Sequence, residues 1–251
     1  MTVLYNNVNE GLRVIEHENT RVMLLGNGRA KEQSGIYVDD LRKHFFDYSL
    51  LAMYSLLFVN KPKNILVVGC GGGIISREMI HYFPEVKIDI IDINDEMINI
   101  ARDFFFFETN DSIRFIKGDG MQVVSSLKDQ YDIIILDAFS KDYIPFHLMT
   151  KDFYKMTNDR LKEDGVSVMN TSSFHPSFYN QLNTIREAYG DNLYSLIGER
   201  NELTYMVYAL KNDRKPLEKL DLPIEYYPKR IPLKIEITKE IKNSKIFEMK
   251  G

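Results

Sequence analysis

Cysteine is nearly missing from this sequence: Cys70 is the single one in 251 residues. No intramolecular disulfide can form, and no multi-cysteine metal cage is available. A basic excess is also missing, since 32 Lys and Arg stand against 36 Asp and Glu, for a net charge of −4. A general nucleic-acid binder carries the opposite balance, so none is expected as a partner. The longest charge-free apolar stretch, Leu50 to Val59, is about half the roughly 20 residues that a membrane span requires. Residues Met1 to Asn7 lack the basic-then-apolar pattern of a secretory leader. These absences lead to an expectation of a cytoplasmic protein. The five histidines, His17, His44, His81, His147 and His175, show no ligand spacing, so no metal site is expected. With 44% hydrophobic and 27% charged residues, the composition is that of a folded globular protein.

Two β-prone runs, Leu12–Glu16 and Thr20–Leu25, precede the turn-forming Gly26-Asn27-Gly28 and predict a small antiparallel β region. Apolar residues at helical spacing predict a helix over Phe45–Phe58, ended by Asn60-Lys61-Pro62. After residue 60 the pattern alternates. Strands are expected at Ile65–Val68, Val86–Ile91, Ser112–Ile116, Tyr131–Leu136 and Gly165–Met169. Helices are expected between them at Ile74–Tyr82, Asp95–Phe107, Met121–Leu127 and Thr150–Leu161, with another at Pro176–Tyr189. Tyr194–Ile197 and Thr204–Leu210 read as a closing antiparallel pair. Such βα repetition predicts an α/β class fold, a doubly wound, mostly parallel sheet with helices on both faces. The expected division is 1–60 for the β region and its helix, 61–212 for the α/β unit and 213–251 for an appendage. That appendage alternates apolar positions at Ile231, Leu233, Ile235 and Ile237.

The chemistry-bearing residues fall at predicted strand ends. Gly69-Cys70-Gly71-Gly72-Gly73 follows the first parallel strand and opens a helix, where glycines allow close backbone approach to a nucleotide. A dinucleotide fingerprint calls for glycine at 74, but Ile74 stands there, which speaks against a nicotinamide oxidoreductase. Spacing at Gly69, Gly71 and Gly73 suits S-adenosyl compounds. Asp92 ends the next strand about 20 residues on, where an acid can accept from ribose hydroxyls. Gly118-Asp119-Gly120 follows the third strand and would sit beside a base. Asp137 ends the fourth, positioned to orient an amine nucleophile and take its proton, ionised near neutral pH if its pKa is the ordinary value of about 3.9. Each has a plainer reading: a tight strand–helix turn for the glycines, helix capping for the acids. Cys70 reads as a small filler, with a helix N-terminus nearby as a reason for reactivity. Phe104–Phe107 reads as core or an intersubunit contact, and His147 as a residue lining the crevice.

These strings resemble the polyamine aminopropyltransferases (spermidine and spermine synthases). The resemblance rests on Ile65–Glu78 with Arg77-Glu78, on Asp92, on Gly118-Asp119-Gly120 and on Asp137, and it runs from about Glu16 to Leu210. Asp137-Ala138-Phe139, Ile144-Pro145, His147-Leu148, Thr150 and Phe153 are most similar to a bacterial spermidine-synthase-like branch of undefined substrate. The resemblance implies an N-terminal β domain on a methyltransferase-like Rossmann core, usually in dimers or larger homo-oligomers. It implies decarboxylated S-adenosylmethionine, or S-adenosylmethionine itself, as co-substrate, with a small amine as acceptor. By it, Gln33, Asp92 and Asp119 bind the nucleoside with the glycines and Gly120, Asp137 is the catalytic acid–base residue, and Tyr48, on the substrate side, is expected to assist it as a second catalytic residue. The chain departs from the family pattern where diamine-binding acids stand: Gly72 and Ser140 replace aspartates, Ser49-Leu50 replaces His-Glu, and Asp142 replaces at most one of them. Methyl transfer and a non-catalytic nucleoside-binding subunit therefore stand as alternatives to aminopropyl transfer.

Overall fold

The computed structural model describes residues 1–139, 144–173, 175–198, 204–217 and 233–234. The chain opens with a four-stranded antiparallel meander: β1 (Thr2–Asn7), β2 (Leu12–His17), β3 (Thr20–Leu25) and β4 (Lys31–Tyr37). The two middle strands match the sequence expectation; β1 and β4 are additional. Both are edge strands in which polar residues break the pattern, Asn6-Asn7 in β1 and Lys31-Glu32-Gln33-Ser34 in β4, so they carry no sustained apolar alternation to read. The predicted helix over 45–58 splits into α1 (Asp47–Met53) and a 3₁₀ turn, Tyr54–Leu57. Every residue from Leu51 to Phe58 is buried, so the hydrophobic period that would mark one continuous helix face has no exposed side.

The α/β body follows as β5 (Asn64–Val68), α2 (Ile74–Tyr82), β6 (Lys87–Asp92), α3 (Glu96–Phe105), β7 (Ile113–Lys117), α4 (Gly120–Ser126) and β8 (Tyr131–Leu136). A 3₁₀ turn at Phe146–Met149 leads to α5 (Lys151–Arg160), β9 (Leu161–Ser172), α6 (Phe178–Tyr189), β10 (Leu193–Ile197) and β11 (Thr204–Leu210). The sheet order is β12-β10-β11-β9-β8-β5-β6-β7, where β12 is the short segment Leu233–Lys234 paired antiparallel to β10. Strands β5 to β9 run parallel, and β11 pairs antiparallel with both β9 and β10. This is the doubly wound, mostly parallel sheet expected. Ser140, Asp142 and the tail positions 231, 235 and 237 lie outside the described residues.

Alternate residues of the central strands face opposite layers. Ile65, Val67, Ile88, Ile90, Ile133 and Ile135 join one core, which also holds buried residues of α1, α2 and α3. Leu66, Val68, Ile91, Ile134 and Leu136 join the other, with α4, α5 and α6. Strands buried on both faces need no alternation, which is why β5 and β8 read as continuous apolar runs. Leu12, Val14, Met23 and Ile36 of the small sheet belong to the first core, so the meander is packed against the body. Among the boundaries that differ from expectation, two have a clear cause. Strand β9 extends well beyond Gly165–Met169 because it pairs with β8 on one side and β11 on the other. Helix α3 stops at Phe105 because Phe106 takes a left-handed φ of 57°. Phe105 and Phe107 are then fully buried, Phe104 is half-buried and Phe106 is exposed, so half of that aromatic run is core.

Candidate functional site

Strand order reverses beside β5: the chain passes to β6 and β7, then returns to place β8 on the other side of β5. Open α/β sheets bind ligands at such a reversal, outside the carboxyl ends of the strands. A cavity of about 570 Å³ lies there, within the range typical of small-molecule sites. Gln33, Tyr48, Gly69, Gly71, Asp92, Asp119, Gly120 and Asp137 all line it, as does His147. Gly73 does not. It starts α2 with φ of 68°, and a side chain there would strike Phe107 and Ala101, so its glycine serves the turn and packing behind the cleft.

The glycine loop is tight. Gly69 has φ of 101°, and a Cβ on it would stand 2.3 Å from the Asp137 carbonyl oxygen; only glycine lets β5 and β8 close this nearly at their ends. Ser34 from β4 reaches into the loop, its Oγ accepting the Gly72 N–H at 2.9 Å. A Cβ on Gly72 would meet Ser34 Cβ at 3.0 Å and the Phe105 ring at 3.1 Å. The position where the resembling family carries an aspartate is thus tight in this chain, and a side chain there requires Ser34 or Phe105 to give by a few tenths of an ångström.

Asp92 ends β6 with both carboxylate oxygens engaged by backbone: Oδ2 accepts from Cys70 N at 2.8 Å and Oδ1 from Asn94 N at 2.9 Å. Burial raises its pKa, and the N–H groups of Asn94, Cys70 and Ile93 pull it back. A carboxylate has about four acceptor sites, so lone pairs remain for further donors. Cys70 itself is buried, and its thiol is pushed up by desolvation and by the Asp92 charge. It is an inert filler; the helix N-terminus does not activate it. Asp119 is the N-cap of α4, Oδ1 accepting from Met121 N at 3.0 Å and Gln122 N at 3.1 Å. Its Oδ2 lies 2.6 Å from His147 Nε2. Capping and cleft-lining are therefore combined in one residue.

Asp137 departs from the sequence expectation. It is half-buried in the cavity wall, and desolvation pushes its pKa up to about 7, against the opposing hydrogen bond from Asn170. Asn170 Nδ2 donates to Asp137 Oδ1 at 2.8 Å. Sheet register makes that contact: Leu136 pairs with Met169, so the next residues, Asp137 and Asn170, emerge side by side. Asn170 carries no motif in the sequence; its one signal is a polar residue directly after the apolar run expected as a strand at Gly165–Met169. Tyr48 Oη donates to the Gln33 carbonyl at 3.2 Å and lies 3.4 Å from Ser34 Oγ. Burial, and then the Asp137 charge, raise its pKa well beyond the ordinary phenol range. It is a neutral donor and wall at physiological pH, unsuited to act as a base.

Charge completes the picture. Six carboxylates, Glu10, Glu32, Asp47, Asp92, Asp119 and Asp137, line the cavity, against a single lysine, Lys31. Walls of that sign favour cations and repel phosphates. Among the described residues no group of three or more His, Cys, Asp or Glu could hold a metal ion. No helix among them is long and apolar enough to cross a membrane.

Fold and cleft together define a class: a methyltransferase-like α/β body whose sheet reversal carries an acid-lined pocket of nucleoside size. A family model described as "Spermine/spermidine synthase domain" matches residues 44–191. The chain belongs to the spermine/spermidine synthase family. A polyamine aminopropyltransferase of Vibrio vulnificus (strain CMCP6) is 34% identical over 183 residues, 71% of this chain and 61% of that protein. The chain thus spans about three fifths of that relative's length. In fold it is similar to a spermidine synthase crystallised with the transition-state analogue AdoDATO, with a TM-score of 0.62 and 20% identity over 84% of this chain and 74% of that one. It is also similar in fold to human methyltransferase-like protein 13 in complex with SAH, with a TM-score of 0.56 and 20% identity over 81% and 89% of the two chains.

Proposed function

We propose that this protein is a transferase of the spermidine synthase type, binding an S-adenosyl sulfonium and alkylating a small amine. The observation that carries this reading is the set of six cleft carboxylates, three of them closing β6, β7 and β8. A sulfonium and an ammonium are both cations, and an acid-lined cleft suits the pair while opposing dinucleotide phosphates and nucleic acid. The residues present fit the adenosyl group: the Gly69–Gly71 turn offers close backbone approach, Asp92 offers a fixed acceptor for ribose hydroxyls, and Asp119 offers one for the base.

When bound, such a sulfonium supplies an electrophilic carbon, whose bond to sulfur breaks as the nitrogen–carbon bond forms and the thioether leaves with the electron pair. Asp137 holds the acceptor's nitrogen and takes the proton released as the new bond forms. Its pKa near 7 matches that role, because a base works best when its pKa lies near the operating pH. Asn170 steadies the charged form of Asp137 and fixes the carboxylate plane. Tyr48 and Ser34 wall the acceptor side and tie β4 to the glycine loop. Alignment of nucleophile and carbon by these groups supplies much of the acceleration.

Family membership favours aminopropyl transfer from decarboxylated S-adenosylmethionine. Gly72 favours a second reading, methyl transfer from S-adenosylmethionine itself, because no acid stands there to repel its carboxylate. Asp137→Asn tests the catalytic assignment. Thioether release, followed by mass spectrometry with both sulfonium donors and a diamine, is expected to fall about a hundredfold or more. Binding of methylthioadenosine is expected to stay within about threefold. Equal turnover in both proteins refutes the role.

A further inference from the structure

We propose that His147 is the positioning residue that sets the purine preference of the cleft, acting through Asp119. The inference rests on the reading above, in which the Asp119 side of the cavity receives the base. Asp119 divides its work between two oxygens. Oδ1 takes both α4 N–H groups, from Met121 and Gln122. Oδ2 is left for His147, 2.6 Å away, and for the cavity that both residues line. Partial burial raises the Asp119 carboxyl, but the Gln122 N–H, the His147 imidazole and the Met121 N–H together hold it below the usual carboxylate range. An ionised carboxylate only accepts, so Nε2 of His147 carries the proton of this hydrogen bond.

Two consequences follow from that proton. Oδ2 is fixed as an acceptor with a further lone pair toward the cleft. A 6-amino group presents donors to such an oxygen, whereas a 6-oxo group presents lone pairs against lone pairs and leaves only the N1–H, one ring position away, as a donor. His147 therefore makes Asp119 a selective reader of the amino group; without it only Oδ1 is tied, and Oδ2 is free to swing away from a carbonyl and tolerate it. The histidine is separable from the fold. Its side chain is 47% exposed, α4 keeps its cap through Oδ1, and the segment stays anchored by Leu148, which is buried beside Gly120.

The test is calorimetric titration of the full chain with methylthioadenosine and methylthioinosine. Wild type is expected to prefer the adenine compound by about tenfold or more, the scale of one charge-assisted hydrogen bond. His147→Ala is expected to shrink that preference to about twofold with Tm unchanged, and His147→Gln, which keeps a donor, to retain most of it. Asp119→Asn, which can donate to a 6-oxo group, is expected to reverse it. An undiminished preference in His147→Ala, with Asp119→Asn reversed, overturns the role of His147 alone. Binding of neither nucleoside by the wild type overturns the reading of the cleft and this inference with it.

Discussion

Removal of the Asn170 amide is the perturbation whose effect on Asp137 can be worked most closely. Asp137 is half-buried, with a pKa near 7, and the Asn170 Nδ2–H donated at 2.8 Å is the contact that opposes its desolvation. A hydrogen bond to a charged group contributes about 1.5–3 kcal/mol. At about 1.4 kcal/mol per pH unit, its loss in Asn170→Leu moves the Asp137 titration up by about one to two pH units. The ionised fraction at pH 7 then falls from about half to between a tenth and a hundredth, so turnover falls about five- to fiftyfold. Activity depends on the ionised form, so it is regained as the pH rises through the new midpoint. The assay is the pH profile of thioether release from pH 6 to 10 at saturating substrates, for wild type, Asn170→Leu and Asn170→Gln. The glutamine variant keeps a donor and is expected to titrate closer to wild type. A loss of rate in Asn170→Leu that is equal at every pH refutes the reasoning, since it shows damaged geometry without a moved titration.

Asp137→Asn is expected to be more heat-stable than wild type at pH 8. A folded-state pKa raised to about 7 means that this residue's stabilising contribution is complete below the unfolded value of about 3.9 and is lost as pH rises through 7. Melting curves are expected to differ by several degrees at pH 8 and to converge near pH 4; a constant gap refutes the linkage. Gly72→Asp, which restores the family's acid, is expected to cost about 1–3 kcal/mol because Ser34 and Phe105 fill the space. Denaturant melts of Gly72→Asp with and without Ser34→Gly test this, with partial recovery expected in the double variant.

Much of this architecture is legible before any coordinates. The strands at 65–68 and 131–136 announce themselves as unbroken apolar runs because they are buried on both faces, and each acid at a strand end follows from those boundaries. Edge strands β1 and β4 stay hidden because consecutive polar residues, Asn6-Asn7 in one and Lys31-Glu32-Gln33-Ser34 in the other, interrupt any apolar alternation. The consequential gaps are pairings between distant segments. Asn170 meets Asp137 only through sheet register, and Ser34 reaches the glycine loop only because the meander packs on the body. His147 reads as a crevice residue from its place after Pro145, but its partner Asp119 is 28 positions away. The raised pKa of Asp137 is likewise a property of burial, which a strand-end position in the sequence does not convey.

The central claim is that the acids closing β6 and β7 hold an adenosyl group while Asp137 faces the reacting atoms. Calorimetric titration with methylthioadenosine and with a nicotinamide dinucleotide, for wild type and Asp92→Ala, addresses it most directly. The account predicts that the thioether binds, that the dinucleotide does not compete, and that Asp92→Ala weakens thioether binding by about tenfold or more. Tighter binding of the dinucleotide, or thioether affinity indifferent to residue 92, contradicts it.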